Sequence, residues 1–341
     1  MIRIQNIYHM LAYAYQVLRE SSYADCATEE FENTADLLSA ILAKGISTQV
    51  KRGLNREYKE ISEPLSSLRG RIEINDSIKK QSLIKHQLVC TYDEFSVNTY
   101  HNQILKATVN LLIKADIPKS RKKALRNLMV YFHEVDGIDV HAIRWDLMRY
   151  DKNNQSYRML INVCYLIIKG LLQKTETGSL KLTQFIDEQR MCRLYEKFIL
   201  EYYKKEYPQL KVSSSQIPWA LDDDYSFMLP VMQSDIMLSY GGKTLIIDAK
   251  HYSKTTQNQY DVHTIHSNNL YQIFTYVKNK ATSGGEVEGM LLYAKTDDAI
   301  QPDNTYMMSG NKISAKTLNL DCEFEEIKKQ LNQIADDAFG F

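Results

Sequence analysis

Apolar residues change their spacing several times along the chain, and each change marks a different kind of element. Ile7, Met10, Leu11, Ala14, Val17 and Leu18 recur at helical spacing, which predicts an amphipathic helix over residues 5–20. Leu37, Leu38, Ile41 and Leu42 predict a second helix over 34–43, with Gly45 ending or bending it. From 46 to 96 the helical period gives way to short alternating pieces, among them Arg71-Ile72-Glu73-Ile74 and Leu88-Val89-Cys90-Thr91-Tyr92. That alternation reads as a small sheet or partial barrel. Helical spacing returns over 98–114, where Asn98 is the expected cap and Ile104, Leu105, Thr108, Leu111 and Leu112 share a face. It returns again over 119–133. Asp136-Gly137 breaks the pattern, and the polar run DKNNQ at 151–155 sets a domain boundary near residue 155.

The second half opens with helices over 158–172 and 188–207, the latter turning Met191, Leu194, Phe198 and Tyr202 inward before Pro208 stops it. Two apolar runs, 236–240 and 244–249, then flank Gly241-Gly242, a pair suited to the positive-φ positions of a tight hairpin turn. A polar segment over 251–266 precedes a helix over 268–280 with Leu270, Ile273, Phe274 and Val277 on one face. A buried strand at 290–294 and an end helix over 321–338 complete the pattern. The expected architecture is an α+β N-terminal domain, helices plus a small β-rich sheet or partial barrel, over 1–155, followed by an α/β domain over 156–341.

The hairpin carries the chemistry. With Gly241 and Gly242 as the loop, Tyr240 faces Lys243, Leu238 faces Leu245, and the ladder continues to place Asp235 opposite Asp248. Like charges directly opposite each other are destabilising unless compensated. Strand alternation puts Lys250 on the face of Asp248 and turns Ala249 toward the core. Two carboxylates with the neighbouring Ala249 carbonyl suit Mg²⁺, a hard cation that shares its shell with water and phosphate oxygens. Lys250 beside such an ion positions or activates water, or stabilises the charge developing on an attacked phosphate. The plain alternative is that the two acids merely flank strand ends and Lys250 pairs with one of them. Glu196 lies off the apolar stripe of its helix, either joining this set or standing exposed. Gln272 and Tyr276, one turn apart, form either a buried pair that orients Lys250 or a surface pair. His263 and His266 lack a third ligand, so a loop role is expected for them.

Charge adds little globally, because 42 basic and 42 acidic residues cancel over 341 residues. Nucleic-acid contact must therefore come from local patches. The most basic stretch is 44–85, with ten Lys or Arg against five Asp or Glu, including Lys51, Arg52, Arg56, Arg69 and Arg71. It reads either as a solvated face or as a surface for an acidic partner or DNA phosphates. Five cysteines, Cys26, Cys90, Cys164, Cys192 and Cys322, are odd in number and widely spaced, which argues against a disulfide framework and for a reducing cytoplasm. No apolar run approaches the roughly 20 residues of a membrane helix, so no membrane span is expected. Gly242-Lys243-Thr244 is not a P-loop tail, since Met237 stands where the first glycine belongs and the lysine begins a strand.

Asp235 and Asp248-Ala249-Lys250 resemble the PD-(D/E)xK nuclease signature, with Ser234 in place of the usual proline. Gln272 and Tyr276 resemble the Q-x-x-x-Y element of RecB-like nucleases. The opening IQNIYHMLAYAY, the LRGRIEI of 68–74, the NTYHNQILKATV helix and the SDI…IIDAKHY…NLYQIFTYV block occur in this order in McrC proteins. The chain thus resembles the nuclease subunits of McrBC-type modification-dependent restriction systems. The resemblance implies a restriction-endonuclease-like PD-(D/E)xK domain that cleaves DNA with Mg²⁺ held by Asp235, Asp248 and the Ala249 carbonyl. Lys250 acts on water, with Gln272, Tyr276 and Glu196 in support. It also implies a separate McrB-like AAA+ partner, a hexameric ring that hydrolyses GTP and reads methylated cytosine. The N-terminal domain enters that ring and stimulates it, with the 44–85 stretch as the natural contact, and two nuclease subunits pair for a double-strand break. Two other readings remain: a non-catalytic activator with a degenerate nuclease fold, and a stand-alone RecB-like repair nuclease.

Overall fold

A computed structural model describes residues 2–15, 29, 31–150, 155–172, 188–223, 225–252, 257–259 and 262–341. Val17, Leu18 and Cys26 lie outside them. The chain forms two compact units, one of residues 38–183 and a discontinuous one joining 1–37 to 184–341. This division differs from the boundary expected near residue 155 in two ways: residues 155–172 pack within the 38–183 unit, where Tyr157 donates to Asn102, and the N-terminus packs within the other. Helix α1 (Ile4–Ala14) docks within the discontinuous unit. Its Tyr13 ring meets Phe198 at 5.7 Å and Tyr202 at 5.4 Å, and the hydroxyl donates to Glu206 at 2.8 Å. Asn6, buried, donates from Nδ2 to the carbonyls of Leu320 at 2.9 Å and Cys322 at 2.8 Å. The helix ends at Ala14, short of residue 20, because Tyr15 is extended.

In the 38–183 unit, α2 (Thr34–Arg52) runs on through Gly45 instead of stopping there. Lys51 and Arg52 therefore belong to its last turn, where cations complement the helix dipole. Strands β1 (Glu57–Leu65), β2 (Arg71–Ile72) and β3 (Leu88–Ser96) make an antiparallel sheet of order β1-β3-β2. The expected sheet is present as an open three-stranded one. The alternation through Ile74 does not hold, since Ile74–Lys79 coils into a short helix, α3. Helix α4 (Tyr100–Lys114) is capped by Thr99, whose side chain accepts from Asn102 N at 3.3 Å. Asn98, the expected cap, is engaged elsewhere, accepting from Asp136 N at 3.0 Å. Helices α5 (Lys119–Met129) and α6 (Gln155–Leu172) complete the unit. Between α4 and α6, buried Asn102 bonds the carbonyls of Asn55 and Val97 and accepts from Tyr157, so that each of these polar groups is matched.

The discontinuous unit is built on a six-stranded sheet. After α7 (Glu188–Glu206) come β4 (Lys211–Ser213) and a small pair, β5 (Gln216–Ile217) with β6 (Met232–Gln233). The hairpin β7 (Ile236–Tyr240) and β8 (Lys243–Lys250) follows, then the short pair β9 (Gln257–Gln259) and β10 (Val262–Thr264). Helix α8 (Ser267–Ala281), β11 (Glu286–Ala294), β12 (Asn304–Met308), β13 (Asn311–Leu318) and α9 (Phe324–Phe339) close it. The sheet order is β12-β13-β11-β8-β7-β4, with β8, β11 and β13 mutually parallel. The parallel step from β8 to β11 needs a crossover, and α8 supplies it. Residues Leu245, Ile246, Ile247, Asp248 and Ala249 are all buried, as a strand covered on both faces requires. No helix among the described residues is long and apolar enough to cross a membrane.

Where α8 crosses β11 the contact is close. A Cβ placed on Gly289 would lie 2.7 Å from Val277 Cγ2 and 2.9 Å from Ile273 Cγ1. Gly289→Ala is therefore expected to destabilise this unit by about 1–3 kcal/mol, the usual cost of overpacking. Chemical denaturation of the two proteins side by side checks the loss.

Candidate active site

The β7–β8 register is the expected one. Tyr240 pairs with Lys243, Leu238 with Leu245 and Ile236 with Ile247, and Gly241 and Gly242 take φ of 57° and 82°. Both turn residues therefore adopt the left-handed backbone that glycine tolerates without a steric penalty. Asp235 sits one residue beyond the ladder, and its Oδ2 accepts from Ala249 N at 2.9 Å. That bond holds its carboxyl within electrostatic reach of Asp248.

The departure at Ser234 has a structural reason. Its N–H donates to Ser215 O at 3.1 Å, and Ser214 Oγ donates to its carbonyl at 2.9 Å. A proline has no N–H to make the first of these bonds. The tie from Ser234 to Ser215 holds the chain just before Asp235.

Asp248 is 1% exposed and Lys250 reaches both of its oxygens, at 3.0 Å to Oδ1 and 2.9 Å to Oδ2. Only the Oδ1 contact has hydrogen-bond geometry, so Oδ2 is a buried acceptor without a hydrogen bond. On its other side Lys250 donates to Gln272 Oε1 at 3.4 Å, and Gln272 Nε2 donates to Tyr276 OH at 2.9 Å. Tyr276 is buried and Gln272 half-buried, so the two are not a surface pair, and through Gln272 they are bonded to the lysine.

Electrostatics follow from this crowding. Burial, then the charges of Asp248 and Glu196, raise the Asp235 carboxyl well above its ordinary range. Burial alone would lower the Lys250 ammonium, but Asp248 and Asp235 outweigh it and lift the group above its usual value. At neutral pH the lysine is a fixed cation.

Glu196, on α7, lines the same open cleft as Asp235, of about 380 Å³, together with Arg193, Lys197, Ser214, Gln233 and Ser234. Its Oε1 accepts from Cys192 Sγ at 3.1 Å, and the same sulfur lies 3.8 Å from Ala249 O. Burial and that bond to Glu196 push the Cys192 thiol up to about 12, so it stays protonated and donating. Among the described residues no three His, Cys, Asp or Glu side chains converge on one point. The donors available to a cation are thus the carboxylates of Asp235 and Asp248 and the Ala249 carbonyl, with Glu196 one shell out. These are hard oxygens, and the buried Asp248 Oδ2 lacks a hydrogen bond, so the set fits a hard divalent ion such as Mg²⁺.

Sequence reasoning missed Cys192, Arg193 and Lys197. Cys192 and Arg193 lie four and three residues before Glu196 on α7, so helical spacing places them on its side, and Lys197 lies one turn beyond Arg193. Tyr293, opposite Lys250 on β11, was also missed; it accepts from Asn269 Nδ2 at 3.1 Å, while Asn269 Oδ1 accepts from Tyr252 at 3.2 Å. His266 packs against Tyr252 at 5.3 Å, and the side chain of His263 lies outside the described residues. In the 38–183 unit, Lys51, Arg52, Arg56, Arg69 and Arg71 are all exposed. Arg69 lies 3.9 Å over the Tyr92 ring, and Arg71 pairs with Glu73 at 2.6 Å.

The sequence pattern of the McrBC 5-methylcytosine restriction system component family matches residues 4–294. The chain belongs to that family. It is 29% identical over 342 residues to the type IV methyl-directed restriction enzyme EcoKMcrBC of Escherichia coli (strain K12), covering 98% of each. Among solved structures it resembles a refined half-complex from the tetradecameric assembly of Thermococcus gammatolerans McrB AAA+ hexamers with bound McrC. That match has a TM-score of 0.53 at 17% identity, over 98% of this chain and 75% of the other, a likeness of fold.

The raised Asp235 carboxyl has a consequence for stability. As pH rises above the ordinary 3.8, the unfolded chain releases this proton while the folded chain keeps it. Stability therefore falls as pH climbs toward neutrality. Asp235→Asn in chelator is expected to raise the melting temperature at pH 7 by a few degrees, at roughly 2–4 °C per kcal/mol for a unit of this size. The gain should shrink at pH 4; thermal melts at both pH values check it.

Proposed function

We propose that this chain is the Mg²⁺-dependent DNA endonuclease subunit of a McrBC-like restriction complex, and that its 184–341 segment is a PD-(D/E)xK nuclease. The observation that carries the reading is the convergence of Asp235, Asp248 and Lys250 on one hairpin end, with Gln272 and Tyr276 behind the lysine. A purely structural domain gains nothing from two carboxyls forced together in a nearly dry site.

Asp235, Asp248 and the Ala249 carbonyl would hold the ion. When bound, Mg²⁺ acidifies a water and neutralises charge on the attacked phosphate. Lys250, kept protonated by its carboxylate neighbours, is suited to stabilising negative charge on a phosphate oxygen and to orienting water, not to taking a proton from it. Gln272, held by Tyr276, fixes the direction of the ammonium. In the adjoining cleft Arg193 and Lys197 are placed to contact the DNA backbone. The described residues of each chain hold one such cluster, so a double-strand break calls for two copies.

In the 38–183 unit an exposed apolar surface supports a protein partner. Leu68, Ile74, Ile78, Leu83 and Ile84 are all more than half exposed, with Lys79, Lys80 and Lys85 among them. Apolar side chains concentrated in one short segment with a charged rim mark an interaction site. We assign this tip to the McrB-like AAA+ ring, which binds and hydrolyses GTP and reads methylated cytosine, and whose hydrolysis this chain stimulates.

Asp248→Asn is expected to lower cleavage of methylated plasmid, in the presence of partner, GTP and Mg²⁺, by at least about 10²-fold. Partner GTP hydrolysis should stay stimulated. Retained cleavage in a folded Asp248→Asn protein would sink the nuclease assignment. Conversely, Ile78→Asp with Ile84→Asp should abolish GTPase stimulation and co-elution with the partner while leaving the melting curve nearly unchanged; undiminished stimulation would place the contact elsewhere.

A further inference from the structure

A second hollow of about 340 Å³ adjoins the catalytic hairpin on the α8 side, lined by Trp219, Met232, Asn268, Tyr271, Gln272 and Tyr276 with neighbours from the same segments. It shares Gln272 and Tyr276 with the Lys250 relay, so one side chain, Gln272, separates its occupant from Lys250. None of its lining residues is charged. A phosphate or a cation therefore finds no counter-charge in it, whereas a flat neutral ring finds aromatic walls and amides.

The walls are prepared for that ring. Trp219 packs partly on the buried cluster that includes Ile273 and Tyr276, and its Nε1 is already spent on Pro230 O at 2.7 Å. What the indole has left to offer is its π surface. Tyr271 is 67% exposed on α8, a placement that core packing does not explain. Asn268 adds a neutral polar group to the lining, while both ends of the Gln272 amide are engaged by Lys250 and Tyr276. Val231 of the lining is 70% exposed, as are Phe227 and Met228 a few residues before it at 71% and 86%, and apolar side chains of this kind wedge between base steps and unstack them.

We infer that the Trp219–Tyr271 hollow takes one unstacked nucleobase of the strand being cut, next to the scissile phosphate. The inference rests on the nuclease reading and adds to it a site for the base. Stacking fixes the neighbouring nucleotide, and Gln272 links the filled hollow to the orientation of Lys250. Because every base has a π face, the site tolerates any sequence at that position.

The test is equilibrium binding of full-length protein, in EDTA, to a fluorescent single-stranded deoxyoligonucleotide and to the same backbone with abasic residues. The base-bearing strand should bind at least about fivefold more tightly, the low end for one base on one aromatic ring. Tyr271→Ala, an exposed change, and Trp219→Ala should each reduce that preference. Trp219→Phe, which keeps an aromatic face and the core packing, should retain most of it. Equal affinity for the two strands, no binding to either, or a preference unchanged in folded Tyr271→Ala and Trp219→Ala overturns the proposal. If Asp248-dependent cleavage persists alongside such a result, only the base site fails; if cleavage is absent as well, the nuclease reading fails with it.

Discussion

The site depends on one antagonism, the repulsion between the carboxyls of Asp235 and Asp248, held in place by everything around them. The Gly241-Gly242 turn fixes the register, the Ala249 amide holds Asp235 Oδ2, and Lys250 lies against both oxygens of Asp248. Burial first, and then the neighbouring Asp248 charge that one ammonium does not fully offset, raise the Asp235 carboxyl above its ordinary range. A site built this way is stable without a cation only at the cost of a protonated acid. On the proposed reading a dication would relieve the crowding directly, so that affinity for metal and the cost of the empty site would have the same origin.

The sheet makes that antagonism sustainable. β8 is buried on both faces, so slipping the hairpin by one residue would carry Ile246 and Asp248 to the opposite face and bury their neighbours in the wrong cluster. Hydrophobic register thus supplies the free energy that opposes charge repulsion. The relay behind Lys250 draws on the same packing: Tyr276 belongs to the cluster of Ile246, Ile273 and Val277, and its hydroxyl emerges from that cluster to hold Gln272.

The hairpin was legible from sequence because its determinants are local: two glycines, alternation, and a continuous apolar run. The Gln272–Tyr276 pair was legible for the same reason, since one helical turn joins the two. What was not legible depends on distant chain. α1 reads as an N-terminal amphipathic helix, but nothing local states that its apolar face matches α7 and the segment after β13. A boundary drawn at a polar stretch therefore separated segments that tertiary packing joins. Gly45 failed as a stop for a related reason: the helix it lies in continues for seven residues to Arg52, and tertiary burial outweighs the modest propensity cost of one glycine. The cap at Thr99 in place of Asn98 is decided by Asp136, 38 residues away, which engages the Asn98 side chain.

The two hollows beside the hairpin divide the work by chemistry. The Asp235 side carries Arg193, Lys197 and Glu196, charged groups suited to phosphate and ion. The Gln272 side carries aromatic rings and amides without charge. A nucleotide has the same polarity, an anionic backbone at one end and a neutral ring at the other. Lys250 stands between the two, bonded to Asp248 on one side and to Gln272 on the other. On the proposed reading, a strand filling both hollows would act on the same ammonium from both directions, so that its correct seating would set the position of the charge that meets the phosphate.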